Sequence, residues 1–262
     1  MKTRLDAELV RRGLARSREA ATDLIAAGNV LVSGMPASKA ATQVDAETSI
    51  TLKDDHAEFV SRGGHKLAGA LDKFTHIDVS GKTALDAGAS TGGFTDVLLK
   101  RGAKKVVAVD VGYGQLAWEL QKDTRVKILD RVNVRNLTAA QVGEEIDLVV
   151  ADLSFISLKL VLPALISVAK EGADLLVMVK PQFEVGKEKL GAGGVVRDVH
   201  LRKEAVVAVA DAAFALTLGT LGVVASPLPG PSGNVEYFLW LRKGAPALLE
   251  VDLDLAIEKG PA

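Results

Sequence analysis

The 262-residue chain has no cysteine, only 4% aromatic residues and no excess charge of either sign: 32 lysines and arginines stand against 33 aspartates and glutamates, a net charge of −1. Without cysteine there is no disulfide framework and no thiolate metal site, so no metal is expected. A near-neutral chain does not coat polyanions indiscriminately, and any affinity for phosphates must rest on where its cations cluster. Long apolar runs are missing too. Leu148 to Ala151 and Leu175 to Val179 are strand-sized, far short of the ~20 residues that span a bilayer. The first residues, Met1-Lys2-Thr3-Arg4-Leu5-Asp6, lack the apolar core of a secretion signal. These absences point to a reduced, cytoplasmic setting with no membrane partner. What is present is an ordinary globular balance, 48% hydrophobic and 25% charged, which excludes general disorder.

Residues 1–57 read as a small α+β unit. Leu5, Leu9 and Leu14 share a helical face, Ser17 can cap a second helix from Arg18 to Ala27, and Gly28 stops it. Val30-Leu31-Val32, a tight Ser33-Gly34-Met35-Pro36 turn and a later Ile50-Thr51-Leu52 segment predict a small sheet. Arg4, Arg11, Arg12, Arg16 and Arg18 crowd into this unit. Residues 58–63 end in Arg62-Gly63 and read as the close of a polar joint begun at Asp54.

From residue 64 to 262 the pattern changes to alternating strands and helices. Strands are expected at Thr83 to Asp86, Val106 to Asp110, Val126 to Leu129, Ile146 to Asp152, Leu175 to Lys180, Val223 to Ser226 and Tyr237 to Leu241. Helices are expected at Phe94 to Lys100, Leu158 to Lys170 and Leu201 to Leu218. Such alternation specifies an α/β, Rossmann-like sheet, parallel for most of its strands. Trp118 and Trp240 fit amphipathic core positions.

The first strand runs into Gly88-Ala89-Ser90-Thr91-Gly92-Gly93-Phe94 and then a helix. Glycines there let a ligand approach the backbone at the strand end, where ligands of such sheets bind. Asp110 ends the second strand 22 residues after Gly88, where a carboxylate can accept hydrogen bonds from ribose hydroxyls. The spacing lacks the G-x-G-x-x-G that a pyrophosphate wants, which favours S-adenosylmethionine over a nicotinamide cofactor. Asp152 ends the fourth strand and Lys180 the fifth, beside apolar neighbours where an unpaired ammonium is costly. A second glycine-rich stretch, Gly191 to Asp198, reads either as a lid that touches RNA through Arg197 or as a plain surface loop.

The order of residues 3 to 53 resembles the S4 RNA-binding domain, carried by Arg4-Leu5-Asp6, Gly13-Leu14, Ser17-Arg18, Ala21, Leu24-Ile25, Gly28, Val30 and Val32. Lys66, Asp152, Lys180 and Glu236 resemble the Lys-Asp-Lys-Glu set of FtsJ-like ribose 2′-O-methyltransferases. With an S4-like unit in front, the stretches FVSRGGHKL, LDAGASTGGFTDVLL, VADLSFISL, VKPQFEVGKEKLGAGGVVRD and SGNVEYFLWL are similar to the TlyA, or hemolysin A, family. The resemblance implies a class I methyltransferase sheet whose last strand is antiparallel, with S-adenosylmethionine held by Gly88, Ala89, Ser90, Thr91, Gly92, Phe94, Asp110, Asn133 and Asp152. It implies methylation of a cytidine 2′-hydroxyl in 23S and/or 16S ribosomal RNA within ribosomal subunits, with RNA contacts at Arg4, Arg11, Arg12, Arg16, Arg18, Arg62 and Arg197. Lys180 is the expected activating group, either as base or as a charge that stabilises the alkoxide. Asp152 and Glu236 are expected to orient the lysines and the substrate. The family's hemolysin name brings a membrane-active protein as an alternative, and a noncatalytic RNA-binding assembly factor is another. No spanning segment supports the first, and the intact four-residue set disfavours the second.

Overall fold

The computed structural model describes residues 3–33, 35–45, 48–52, 58–230 and 232–260. The chain forms two compact units, Met1–Glu58 and Phe59–Ala262. Gly34 of the expected turn, and residues 54–57 of the expected joint, lie outside the described residues.

In the first unit, β1 (Thr3–Arg4) leads into α1 (Leu5–Arg11), followed by α2 (Arg18–Ala26), β2 (Val30–Val32), β3 (Met35–Pro36), β4 (Gln43–Val44) and β5 (Ile50–Leu52). The Ser17 hydroxyl accepts from Ala20 N–H at 3.1 Å and caps α2. Gly28 follows the helix at φ +71°, the left-handed conformation that costs glycine little. Leu5, Leu9, Ala21, Ile25 and Val30 form the centre of this unit's core. The sheet runs β3-β2-β5, and β1 pairs separately with β4.

The second unit begins with α3 (Arg62–Lys73). Residues 59–63 therefore belong to it and are not a joint. Phe59 is buried, and Gly63 and Gly64 lie inside the helix. A Cβ on Gly64 would fall 2.4 Å from Phe59 Cβ, and one on Gly93 would fall 2.7 Å from Gly64 N. Gly64 and Gly93 are there for close packing, not for hinge motion.

Next come β6 (Thr83–Ala87), α4 (Gly93–Lys100), β7 (Lys105–Asp110), α5 (Trp118–Lys122), β8 (Val126–Asp130), α6 (Ala139–Val142), β9 (Ile146–Ala151), α7 (Leu162–Val168), β10 (Ala169–Val179), α8 (Val199–Ala215), β11 (Leu218–Ala225), β12 (Tyr237–Lys243) and α9 (Glu250–Glu258). The sheet order is β11-β12-β10-β9-β6-β7-β8. β12 runs antiparallel to both its neighbours, and the other six strands of this sheet share one direction. Strands buried on both faces explain runs such as Leu148-Val149-Val150-Ala151, whose alternate residues feed two cores, one on each side.

Two helix boundaries differ from expectation. The segment expected as one helix from Leu158 to Lys170 is a 3-10 turn, Leu158–Leu160, and then α7. Pro163 has no N–H to give and sits in the first turn of α7, where none is needed. Ala169 and Lys170 already belong to β10. Likewise α8 stops at Ala215, because Thr217 turns the chain at φ +69° and Leu218 opens β11.

Chain order reverses beside β6: β7 and β8 lie on one side and β9 on the other, so the crevice forms over these strand ends. Gly92, in the loop after β6, packs against the segment that follows β7. Its φ is +96°, and an added Cβ would fall 2.3 Å from Leu120 Cδ1 and 2.8 Å from Leu116 Cδ1. Gly114 has φ +64° and nothing within 4 Å. Gly114→Ala should therefore cost only the backbone term, about 1–2 kcal/mol. Gly92→Ala should cost roughly 2 kcal/mol more, because overpacking adds to it. Urea unfolding of both variants checks this, and equal losses would contradict the packing role of Gly92.

Candidate active site

A cleft of about 480 Å3 opens over the ends of β6, β7, β8 and β9, and Gly88, Ser90, Asp110, Asn133 and Asp152 line it. The Asp110 carboxylate accepts from Ser90 N–H at 2.8 Å and from Gly112 N–H at 2.7 Å, tying two strand-end loops together. Each oxygen keeps acceptor capacity for a ligand hydroxyl. A Cβ on Gly88 would fall 2.5 Å from the Asp152 carbonyl, so this glycine lets one strand-end loop sit against the next. The other residues of the glycine-rich loop do not line the cleft. Ala89, Thr91 and Phe94 are buried beneath it, Gly92 packs on Leu116 and Leu120, and Phe94 stacks on Phe238 at 6.0 Å.

The four residues read as a set gather at one edge of the sheet, as two lysine–carboxylate pairs. Val179 lies opposite Tyr237 in the β10–β12 ladder, so Lys180 and Glu236 leave it as neighbours. Yet Lys180 turns to Asp152, with Nζ 2.5 Å from Oδ1, and also donates to Ser154 Oγ at 2.9 Å. Glu236 instead takes Lys66 of α3, at 2.6 Å, and both are buried, with side-chain exposures of 8% for the lysine and 0% for the glutamate. Gln182 Nε2 lies 3.5 Å from Glu236 Oε1, the carboxylate oxygen that Lys66 does not take.

Several participants were invisible in the sequence pattern. Ser154 holds Lys180. Asn234 is buried and grips the second glycine-rich stretch, accepting from Val196 N–H at 2.9 Å and donating to the Gly194 carbonyl at 3.1 Å. That stretch is thus tethered two residues before Glu236, and Arg197 on it is exposed. Arg62 is exposed at the start of α3. Trp118 is 66% exposed, against the expected core position, whereas Trp240 is buried with its indole N–H on Asp174.

In the first unit the arginines are organised by two buried acids. Asp6 accepts two hydrogen bonds from Arg4 and one from Arg18, and Glu8 accepts from Arg11 and Arg12. The guanidinium hydrogen bonds hold the Glu8 carboxyl down at about 2, and hold Asp6 well below the ordinary range. Arg12 also donates to the carbonyls of Thr48 and Asp45, which makes it a brace. Arg4, Arg11 and Arg18 keep about half or more of their side chains exposed, and Arg16 is exposed as well.

Beneath the cleft lies a buried acid. Asp86, at the end of β6, accepts from Thr95 Oγ1 at 2.7 Å, while its Oδ1 has no partner among the described residues. Burial pushes its carboxyl up to about 7; the Thr95 hydroxyl opposes this, and the nearby Asp152 and Asp110 charges add to it. An unfolded aspartate ionises near ~3.9. Between that pH and 7 the unfolded chain releases a proton that the folded chain keeps, so this group's contribution to stability falls as pH rises. Asp86→Asn should therefore stabilise the cofactor-free protein more at pH 8 than at pH 5. Thermal unfolding at both values checks this, and a gain no larger at pH 8 would contradict it.

Models of known families match both units: an FtsJ-like methyltransferase over residues 59–243 and an S4 domain over residues 3–50. The chain is 58% identical over 266 residues to the 16S/23S rRNA (cytidine-2′-O)-methyltransferase TlyA of Mycobacterium tuberculosis, covering 99% of each. It is 37% identical over 239 residues to Hemolysin A of Brachyspira hyodysenteriae, covering 89% of this chain and 97% of that one. A solved Streptococcus thermophilus protein designated a hemolysin is 36% identical, with a TM-score of 0.80 over 98% of this chain and 95% of that one. Among the described residues no helix is long and apolar enough to cross a membrane. By its matched units and its full-length likeness, the chain belongs to the FtsJ-like methyltransferase family, in the TlyA branch that carries an S4 domain.

Proposed function

We propose that the protein methylates the ribose 2′-hydroxyl of cytidine in ribosomal RNA, within the ribosomal subunits, using S-adenosylmethionine. The observation that carries this reading is the Lys180 ammonium, held between the Asp152 carboxylate and the Ser154 hydroxyl, two residues of the cleft wall. The cleft fits the cofactor. Asp110 retains acceptor capacity for ribose hydroxyls, Asn133 and Ser90 add polar atoms, and Val134 and Ile156 add apolar wall. S-adenosylmethionine supplies, when bound, a methyl group already activated for attack, so orientation of the acceptor carries much of the catalysis.

Lysine has three N–H donors. One of them goes to Ser154 Oγ while the charge pairs with the Asp152 carboxylate, which leaves donor capacity for the acceptor oxygen. An ammonium fixed in this way stabilises negative charge growing on the 2′-oxygen as that oxygen takes the methyl group and its proton passes to solvent water. The Lys66–Glu236 pair braces the opposite side of the same edge. RNA docking is assigned to the outward guanidiniums of Arg4, Arg11, Arg16 and Arg18, with Arg62 and Arg197 nearer the methyltransferase unit's own surface. Arg12 is assigned to holding the first unit together.

Methyl transfer to isolated ribosomal subunits, followed by nucleoside digestion, tests the reading. The expected product is 2′-O-methylcytidine, and a base-methylated nucleoside would overturn it. Lys180→Ala should lower kcat about 10²-fold or more with cofactor and RNA affinity little changed. Near-normal turnover would remove Lys180 from the centre of the site. Arg16→Ala with Arg18→Ala leaves Asp6 paired to Arg4 and should flatten the salt dependence of RNA binding by about one unit per lost phosphate contact. An unchanged slope would contradict docking through α2.

A further inference from the structure

We infer that Glu184 is a positioning residue for methyl transfer: its carboxylate bolts the loop after β10 to the loop after β9 and thereby fixes Lys180 against Asp152 and Ser154. The inference rests on the catalytic site proposed above. Glu184 Oε2 accepts from Ser157 Oγ at 2.6 Å, and Oε1 accepts from Leu158 N–H at 2.7 Å. Both oxygens of one carboxylate on one loop are thus spent on the other loop. Glu184 follows Lys180 by four residues, and Ser157 follows Ser154 by three.

The intervening chain is stiff enough to transmit the constraint. Lys180 is followed by the 3-10 turn Pro181–Phe183. Phe183 N–H returns to the Lys180 carbonyl at 2.9 Å, and Glu184 N–H to that of Pro181 at 3.0 Å. On the other loop Ser157 caps the turn at Leu158–Leu160. The Phe155 and Phe183 rings, 5.2 Å apart, join the same two loops a second time. Phe155 is held at φ +63°, a conformation a bulky side chain rarely adopts, so the loop after β9 is set by its contacts and not by local preference. Partial burial pushes the Glu184 carboxyl above the ordinary range, against the pull of its two hydrogen bonds. A carboxylate kept there despite that cost is consistent with a specific mechanical task.

A structural tether alone would lower stability and let affinity and turnover fall together. A positioning role separates them, because a displacement of about 1 Å in a reacting group can cost up to ~10²-fold in rate. The test uses the full chain with ribosomal subunits. Glu184→Ala should lower kcat about tenfold or more, with KM for the subunit and S-adenosylmethionine affinity by calorimetry within about twofold of wild type. Glu184→Gln keeps an acceptor oxygen for one of the two donors and should recover most of the rate. Unchanged kcat in the alanine variant would overturn the inference. So would cofactor affinity falling in step with kcat, or a glutamine variant no better than alanine. Lys180→Ala measured alongside separates the two readings. Its collapse stands whatever Glu184 does, while its retained turnover would overturn the catalytic site and the role of Glu184 with it.

Discussion

The buried ion pair between Lys66 and Glu236 is the constraint around which the site is arranged. Two charges taken out of water are tolerated only when each satisfies the other, and removing one partner would leave an uncompensated charge at a cost of about 3–5 kcal/mol. The 2.6 Å contact ties α3, the first helix of the second unit, to the entry of β12, the one antiparallel strand. Because β12 runs against its neighbours, its start lies at the same edge where β6, β9 and β10 end. An acid just before Tyr237 therefore falls beside Lys180. With Glu236 committed to Lys66, Lys180 turns the other way, to Asp152 and Ser154, toward the cleft.

The cleft itself follows from topology and from a few absent side chains. Reversal of chain order beside β6 opens a crevice over its end, and Gly88, Gly92 and Gly93 let loops and helices close around it without a Cβ in the way. Asp110 serves two ends. It stitches Ser90 to Gly112 in the free protein and still presents lone pairs outward. In the first unit the same economy appears in Asp6 and Glu8, buried acids that aim several arginines from two helices and a strand.

Much of this was legible in the sequence because it depends on local pattern. Apolar strand runs, the glycine-rich turn, Asp110 and the Ser17 cap each declare themselves within a few residues. The four-residue set was also legible, as a set. Its division into two pairs was not, since that depends on the register of β10 against β12, 170 residues of chain separating Lys66 from Glu236. Ser154, Gln182, Glu184 and Asn234 carry no signal of their own: serines, amides and acids abound in loops, and only the fold brings these four to the strand ends. Residues 59–63 looked like a joint because they follow a polar run and lead into the Gly63-Gly64 pair, and such features mark joints. Close packing of Phe59 on α3 requires one of them, Gly64, for a different reason. Trp118 illustrates the limit of periodicity, which assigns a face without saying whether anything covers it.

The central claim is that the ammonium of Lys180, fixed by Asp152 and Ser154, meets the oxygen that receives the methyl group. A structure of the protein with S-adenosylhomocysteine and its ribosomal RNA target tests that claim most directly. The account predicts the cytidine 2′-oxygen within hydrogen-bond reach of Lys180 Nζ, about 2.6–3.2 Å, with the Asp152 and Ser154 contacts retained. A 2′-oxygen seated elsewhere, or a Lys180 side chain drawn away to phosphate, would contradict it.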